Sequence, residues 1–540
     1  MTDGSYRAAD LLAQRLYEAG CRHAFGMPGG EVLTIVDALQ KAGIEFILAK
    51  HENNSGFMAE GVHHRTGAPG ILVSTVGPGA LNGVNVVANA HQDRVPLIVL
   101  TGCVDADEVL TYTHQVLDHQ AVMGPITKAT FRLTASGADI IADKAIGIAT
   151  EGRAGPVHID VPISVADAEP GTVRLRRRAV ASSTVPAQSA DLDRAREWLR
   201  RARRPLMIIG LDALKDEAGS AILSFAESYN VPFVTTYKAK GIVPEDHPLC
   251  LGGAGLSPLA DKTLVPLVQS ADLVMCIGYD PIEMRTGWRE MWDPAKVHVL
   301  DISAAPNHHY MHQAGLHFIA DTGATIEALQ AGVAAGETWK GGEIEQAKVA
   351  LAADFPADDL WGPAAVIDEC RKTLPKDAIA TVDSGAHRIL LSQMWTCHEP
   401  RTLLQSSALC TMGCAVPLAI GARIAEPDRP VVSFSGDAGM LMVAGELSTA
   451  AELKSKVIFV VFVDASLALI ELKQRQRQLG NKGVDFARHD FAAIGRAFGG
   501  NGHTVTSRAE LRDAMRQALL ADTFTVIAAV IDPKSYDGRI

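Results

Sequence analysis

Residues 431–466 read VVSFSGDAGMLMVAGELSTAAELKSKVIFVVFVDAS, and their pattern decides the fold. Val431–Ser435 is a short continuous apolar run that ends at Gly436-Asp437. A helix is predicted from about Leu441 to Leu453, and a second apolar run, Val457–Val463, ends at Asp464. Strands with no polar alternation belong to parallel sheets covered on both faces. Strand, helix and strand in that order form a βαβ unit, whose crossover is right-handed. Asp437 and Asp464 then sit at the carboxyl ends of parallel strands, where open α/β sheets bind ligands. Two carboxylates short of a full oxygen cage suit Mg²⁺, which completes its octahedron with water and phosphate oxygens. Gly436 and Gly439 let backbone approach a phosphate at a helix N-terminus. The plainer reading, Asp437 as a helix N-cap, accounts for one aspartate but not for two at matching strand ends.

The same pattern runs outward along the whole chain. Phe46–Ala49, Gly70–Thr75, Leu97–Thr101, Pro205–Gly210, Leu273–Gly278, Val297–Ile302 and Ala378–Val382 are further apolar runs between helix-length amphipathic segments. The fold class is α/β, with several doubly wound parallel sheets. A chain of 540 residues is too long for one core. Glu169–Ser189 is rich in Pro, Arg, Ser and Thr, and Ala331–Gly342 is rich in Gly, so both mark boundaries. Three domains follow, 1–170, 190–335 and 360–540.

Composition excludes several classes. A formal net charge of −12 argues against a nucleic-acid surface. The one basic run, Arg174 with Arg176, Arg177 and Arg178, reads as a solvated linker. The N-terminus lacks the apolar core of a signal peptide, and no stretch is long and apolar enough for a transmembrane helix. The eight cysteines form no CxxC pair and fall largely in apolar runs, which points to reduced, buried thiols in a cytoplasmic protein.

With these motifs in hand, the chain resembles the thiamine diphosphate enzyme family. That family's signature is GDG followed some 27 residues later by Asn-Asn. Here Gly436-Asp437-Ala438 and Val463-Asp464 stand in those places, with Ala438 for a glycine and Asp464 for an asparagine. The Val-Asp pair is similar to the FAD-free, catabolic acetolactate synthases. The resemblance implies a three-domain thiamine diphosphate-binding fold, with Asp437, Asp464 and the Ser466 carbonyl as Mg²⁺ ligands. It also implies no FAD, because the G-x-R-F-D-type segment of FAD-dependent relatives is absent.

His51-Glu52 resembles the family's activating pair. By that resemblance Glu52 hydrogen-bonds the aminopyrimidine, whose imino tautomer removes the thiazolium C2 proton. Taken alone, Glu52 reads better as a charge near a helix dipole; the neighbouring motifs favour the catalytic reading. Gly29 lies in the turn Gly26-Met27-Pro28-Gly29-Gly30, which resembles the family's turn beside the thiazolium. Pro78, Gly79 and Asn82 resemble the loop lining the pyrimidine, and Gln115, in Tyr112-Thr113-His114-Gln115, falls where the family places a side chain near the bound intermediate. Gln115 also reads as a surface helix residue. Met412, between Thr411 and Gly413, matches the apolar wedge that bends the cofactor, or else fills a core gap. Ser384 and Gly385 look like the loop that meets the diphosphate.

The implied reaction is decarboxylation of a 2-oxo acid, with pyruvate as default donor, followed by carboligation to an acceptor carbonyl. A decarboxylase that releases an aldehyde, or another lyase or carboligase on the same cofactor, is the alternative. Lys473 stands where catabolic synthases carry Gln, so it either faces the acceptor or points to solvent. Glu31 replaces a position that is often basic, which sets a second pyruvate as acceptor in question. The family's active sites span two subunits, so a homodimer or homotetramer is implied.

Overall fold

In the computed structural model, residues 6–171, 181–357 and 360–540 are described. The basic run at Arg174–Arg178 lies outside them. The strands are β1 His23–Met27, β2 Glu45–Leu48, β3 Gly70–Ser74, β4 Leu97–Cys103, β5 Ala129–Arg132, β6 Val157–Pro162, β7 Pro205–Ile209, β8 Phe233–Thr236, β9 Cys250–Ala254, β10 Leu273–Ile277, β11 His298–Ser303, β12 Leu316–Ile319, β13 Ile379–Val382, β14 Leu403–Gln405, β15 Val431–Gly436, β16 Val457–Val463, β17 Asn501–Val505 and β18 Thr525–Val530. They form three six-stranded sheets, ordered β2-β1-β3-β4-β6-β5, β12-β11-β10-β7-β8-β9 and β14-β13-β15-β16-β18-β17. Every pairing is parallel. Helices cover both faces of each sheet, which is why strands such as β4 and β16 are buried along their whole length. The fold class read from sequence holds.

One apolar cluster joins the first and third sheets. It runs from Phe25 and Ile47 through Met58 and Leu418 to Val431 and Val457. Two helices meet inside it, Glu52–Thr66 and Ala415–Ala425. A Cβ on Gly61 would fall 2.4 Å from the Leu418 carbonyl oxygen, and one on Gly421 would fall 2.0 Å from that of Met58. The two backbones therefore touch through reciprocal glycines. Burial of the surrounding apolar side chains, at ~25 cal/mol per Å², locks the sheets together there. The first of these helices begins at Glu52, and the second begins three residues after Met412.

The helix expected over Leu441–Leu453 is corrected. Two short helices, Asp437–Val443 and Glu446–Glu452, replace it. The break serves Glu446, which is fully buried and accepts hydrogen bonds from the Lys50 backbone N–H, the Asn54 amide and the Thr449 hydroxyl. A straight helix starting at Leu441 would also have left Asp437 outside it, whereas Asp437 is the first helical residue. All eight cysteines are free. Seven are buried, and Cys410 is partly open. Among the described residues no helix is long and apolar enough to cross a membrane.

Candidate active site

The third sheet reverses its winding between β13 and β15, and ligands of open α/β sheets bind at such a switch. Asp383, directly after β13, ties the crevice together. Its Oδ1 accepts from the His387 ring at 2.8 Å and from the Gly436 N–H at 3.3 Å, and its Oδ2 accepts from the Gly413 N–H at 2.6 Å. Three chain segments are thereby fixed by one buried carboxylate. A Cβ on Gly439 would fall 1.9 Å from the same Oδ2, so only glycine fits there. Gly413 has φ +78, a left-handed conformation that also favours glycine.

Over this crevice lies a cavity of about 180 Å³. Its wall contains Ser384, Gly385, Met412, Gly436, Asp437, Ala438, Gly439, Asp464 and Ser466, nine of the residues singled out in the sequence. Asp437 and Asp464 are side by side because β15 and β16 pair with Gly436 opposite Phe462. Asp437 Oδ2 accepts from the backbone N–H of Asp464 at 3.1 Å and of Ala465 at 2.7 Å, while its Oδ1 accepts from Ala438 at 2.8 Å. Ala465 takes φ +58 to make its bond, a strained conformation for a non-glycine. Asp464 Oδ1 accepts from the Ser466 N–H at 3.0 Å.

Both carboxylates are buried, and burial pushes Asp437 above its ordinary value. Burial and then the neighbouring Asp437 carboxylate push Asp464 up to about 7. Such a pair lacks positive charge. Among the described residues, no three or more His, Cys, Asp or Glu side chains are grouped to hold a metal. A cation here therefore needs oxygen ligands from backbone and from a bound molecule, the shell that Mg²⁺ adopts beside phosphates. The donor set fits that ion.

Sequence reading missed part of this wall. His387 is buried, bonded to Asp383 and stacked on Phe462 with ring centroids 5.2 Å apart. Ala386, Cys410, Phe462, Tyr536 and residues 467–470 complete it. His387 follows Asp383 by four residues at the start of the helix Ala386–Met394, a spacing too common to single it out. Tyr536 comes from a C-terminal segment far along the chain and gave no signal. Lys473 is exposed on the helix Ala468–Gln476, whose first residues reach the cavity, and it is not in the wall.

Glu52, Gly29, Pro78, Gly79, Asn82 and Gln115 gather elsewhere, at the switch between β1 and β3 of the first sheet. Glu52 is buried at the start of its helix, and its Oε2 accepts from the Asn82 amide at 3.0 Å. Pro78 opens the short helix Pro78–Asn82, where a missing N–H costs nothing. A Cβ on Gly79 would lie 3.1 Å from Glu52 Oε1, and one on Gly29 would lie 2.2 Å from Thr75 Oγ1. Gln115, at φ +58, is exposed, and its backbone carbonyl lies 3.0 Å from where a Gly77 Cβ would be. Neither Glu52 nor Gln115 is in the wall of the Asp437 cavity.

Comparison with known proteins agrees along most of the chain. Residues 6–122 match the N-terminal TPP binding domain of thiamine pyrophosphate enzymes, 192–329 their central domain, and 383–529 their C-terminal TPP binding domain. The chain is 32% identical to an acetolactate synthase of Bacillus subtilis (strain 168), over 97% of this chain and 93% of that protein. It is 28% identical to a catabolic acetolactate synthase of Raoultella terrigena, over 97% and 95%. It is 31% identical to the acetolactate synthase isozyme 1 large subunit of Escherichia coli (strain K12), over 92% and 88%.

Proposed function

Because the chain belongs to the thiamine pyrophosphate enzyme family and is an acetolactate synthase-like carboligase, we propose that it decarboxylates a 2-oxo acid, with pyruvate as the default donor, in the presence of Mg²⁺. Asp437 and Asp464, with the Ser466 carbonyl, are the residues that would hold the ion. Ser384, Gly385, Gly436, Ala438 and Gly439 would cradle the diphosphate, with His387 beside it, and Met412 would prop the bend of the cofactor. Glu52 would hold and move the proton at the aminopyrimidine end, within the wall made by Gly29, Pro78, Gly79 and Asn82. Gln115 would sit on the substrate side, and Lys473 near the acceptor. When bound, thiamine diphosphate supplies the electron sink that lets CO₂ leave.

The observation that carries this reading is the paired Asp437 and Asp464 at adjacent strand ends, buried, with Asp464 pushed up to about 7 beside a glycine-lined crevice. Asp437 holds its orientation through three backbone N–H donors before any ion arrives. That preorganisation removes much of the cost of ordering ligands. The separation of Glu52 from the Asp437 cavity within one chain supports an assembly of at least two subunits, a homodimer or homotetramer that joins the two halves across an interface. Reduced, buried thiols accord with a cytoplasmic setting. The test is CO₂ release from a panel of 2-oxo acids, with thiamine diphosphate and Mg²⁺ both present or each omitted. Release that needs both is expected. Release that persists after chelation and removal of the cofactor would refute the proposal.

A further inference from the structure

A cavity of about 220 Å³ lies where the three domains of one chain meet, and its walls are mostly buried. His63, His64 and Asp93 come from the first domain, Asp212 and Lys238 from the second, and Arg401 from the third. His64 and Arg401 also line an adjoining cavity of about 550 Å³. Four Lys or Arg and three Asp or Glu side chains line the inner cavity, and the buried carboxylates among them are engaged. Asp93 accepts from the Lys238 ammonium at 2.8 Å and from the backbone N–H groups of Ser407 and Ala408 at 3.0 and 2.9 Å. Asp212 accepts from the Ala304 N–H at 3.0 Å. Glu217 is exposed and borders both cavities. Arg401 differs. It is half-buried, takes φ +58, and its carbonyl accepts from the Arg65 guanidinium at 2.6 Å. Arg65 is paired with Glu426 at 2.9 Å, but among the described residues no carboxylate comes within 4.0 Å of the Arg401 guanidinium. A left-handed arginine beside a second cation is held against both backbone strain and like-charge repulsion. Burial, and then the charges of Lys238 and Arg401, push the His64 ring well below its ordinary value. The cavity is short of negative charge.

We infer that this cavity binds a phosphate group, free or carried on a small organic molecule, with Arg401 as its principal ligand. The guanidinium fork matches two phosphate oxygens and gives the strongest kind of charge-assisted hydrogen bond. Phosphate has further oxygens for the two histidines. His63 Nδ1 bonds the Ala68 carbonyl at 2.9 Å and His64 Nε2 bonds Glu60 at 3.1 Å, which leaves one nitrogen of each ring for a ligand. A carboxylate, with two oxygens, satisfies Arg401 alone. The adjoining cavity gives room for an organic group on the phosphate. The site bears on the reaction through one helix. His64 lies near the end of Glu52–Thr66, about 18 Å along the helix from Glu52. An anion held there fastens the element that carries Glu52 to the other two domains.

The full chain, saturated with thiamine diphosphate and Mg²⁺ so that the diphosphate crevice is filled, is titrated calorimetrically at constant ionic strength. The probes are inorganic phosphate and glycerol 3-phosphate. Saturable binding at a single site per chain is expected. Tighter binding of the ester assigns the adjoining cavity to an organic group, and tighter binding of inorganic phosphate assigns the site to the free ion. Arg401→Gln should weaken binding by about tenfold or more, and Arg401→Lys, which keeps the charge but loses the fork, by less. Neither change removes a bond of the folded chain, since only the Arg401 backbone is engaged there. Lys41→Gln, at an exposed position on another helix, should bind as wild type. No saturation by either probe, or Arg401→Gln binding as wild type, overturns the inference and leaves the carboligase reading intact.

Discussion

Replacing Gly439 with alanine adds a single methyl group at the most crowded point of the Asp437 cavity. The new Cβ would fall 1.9 Å from Asp383 Oδ2, whereas ordinary contact begins at 3.4 Å. The carboxylate or the Gly436–Gly439 backbone must therefore yield by about 1.5 Å. The Gly413 N–H sits 2.6 Å from that oxygen, so movement of Asp383 breaks this bond and loosens the loop that carries Met412. A hydrogen bond to a charged group is worth about 1.5–3 kcal/mol, and an overpacked methyl costs about 1–3 kcal/mol. If roughly half of the sum falls on the bound state, thiamine diphosphate affinity drops by about 10- to 100-fold. Titration calorimetry in excess Mg²⁺ measures it directly. Gly480→Ala is the control, since nothing lies within 4 Å of its added Cβ, and it should bind as wild type. Wild-type affinity in Gly439→Ala would refute the packing argument and the role given to Asp383.

Other expectations follow from the same geometry. Glu52→Gln keeps the Asn82 contact but removes the carboxylate, so cofactor binding should persist while CO₂ release falls by about 10²–10⁴-fold; stopped-flow CO₂ detection separates the two. His387→Ala removes the side chain bonded to Asp383 and stacked on Phe462, and should weaken thiamine diphosphate by about tenfold, read by fluorescence titration. The sign of the pH effect comes from Asp464. Its carboxyl is pushed up to about 7 without a cation, so protons compete with Mg²⁺ below that value. The Mg²⁺ concentration for half-activation should fall as pH rises from about 6 to about 8, and an unchanged value across that window would count against Asp464 as a ligand.

The sheet architecture was legible because parallel strands covered on both faces must be apolar throughout, and β15 and β16 advertise this plainly. Both aspartates were legible because a strand end is fixed by the last apolar residue. The interruption at Ala444-Gly445 was not, since Glu446 reaches Lys50 and Asn54, a loop and a helix residue nearly 400 positions earlier in the chain. A lone histidine on an amphipathic stretch carries little signal, so His387 emerged only once Asp383 and Phe462 were seen to hold it. The two-part site was half legible. Local motifs located the Glu52 niche and the Asp437 cavity separately, but no local pattern encodes the distance between them.

In the proposed reaction Asp437 and Asp464 hold a divalent ion that anchors the diphosphate. Calorimetric titration of thiamine diphosphate into the wild type and into Asp437→Asn, with Mg²⁺ or with chelator, tests that claim most directly. The wild type should bind tightly only with Mg²⁺, and Asp437→Asn, with or without the ion, should bind at least about 100-fold more weakly than the wild type does with Mg²⁺. Equal affinity for the two proteins in Mg²⁺, or wild-type binding indifferent to the ion, would contradict it.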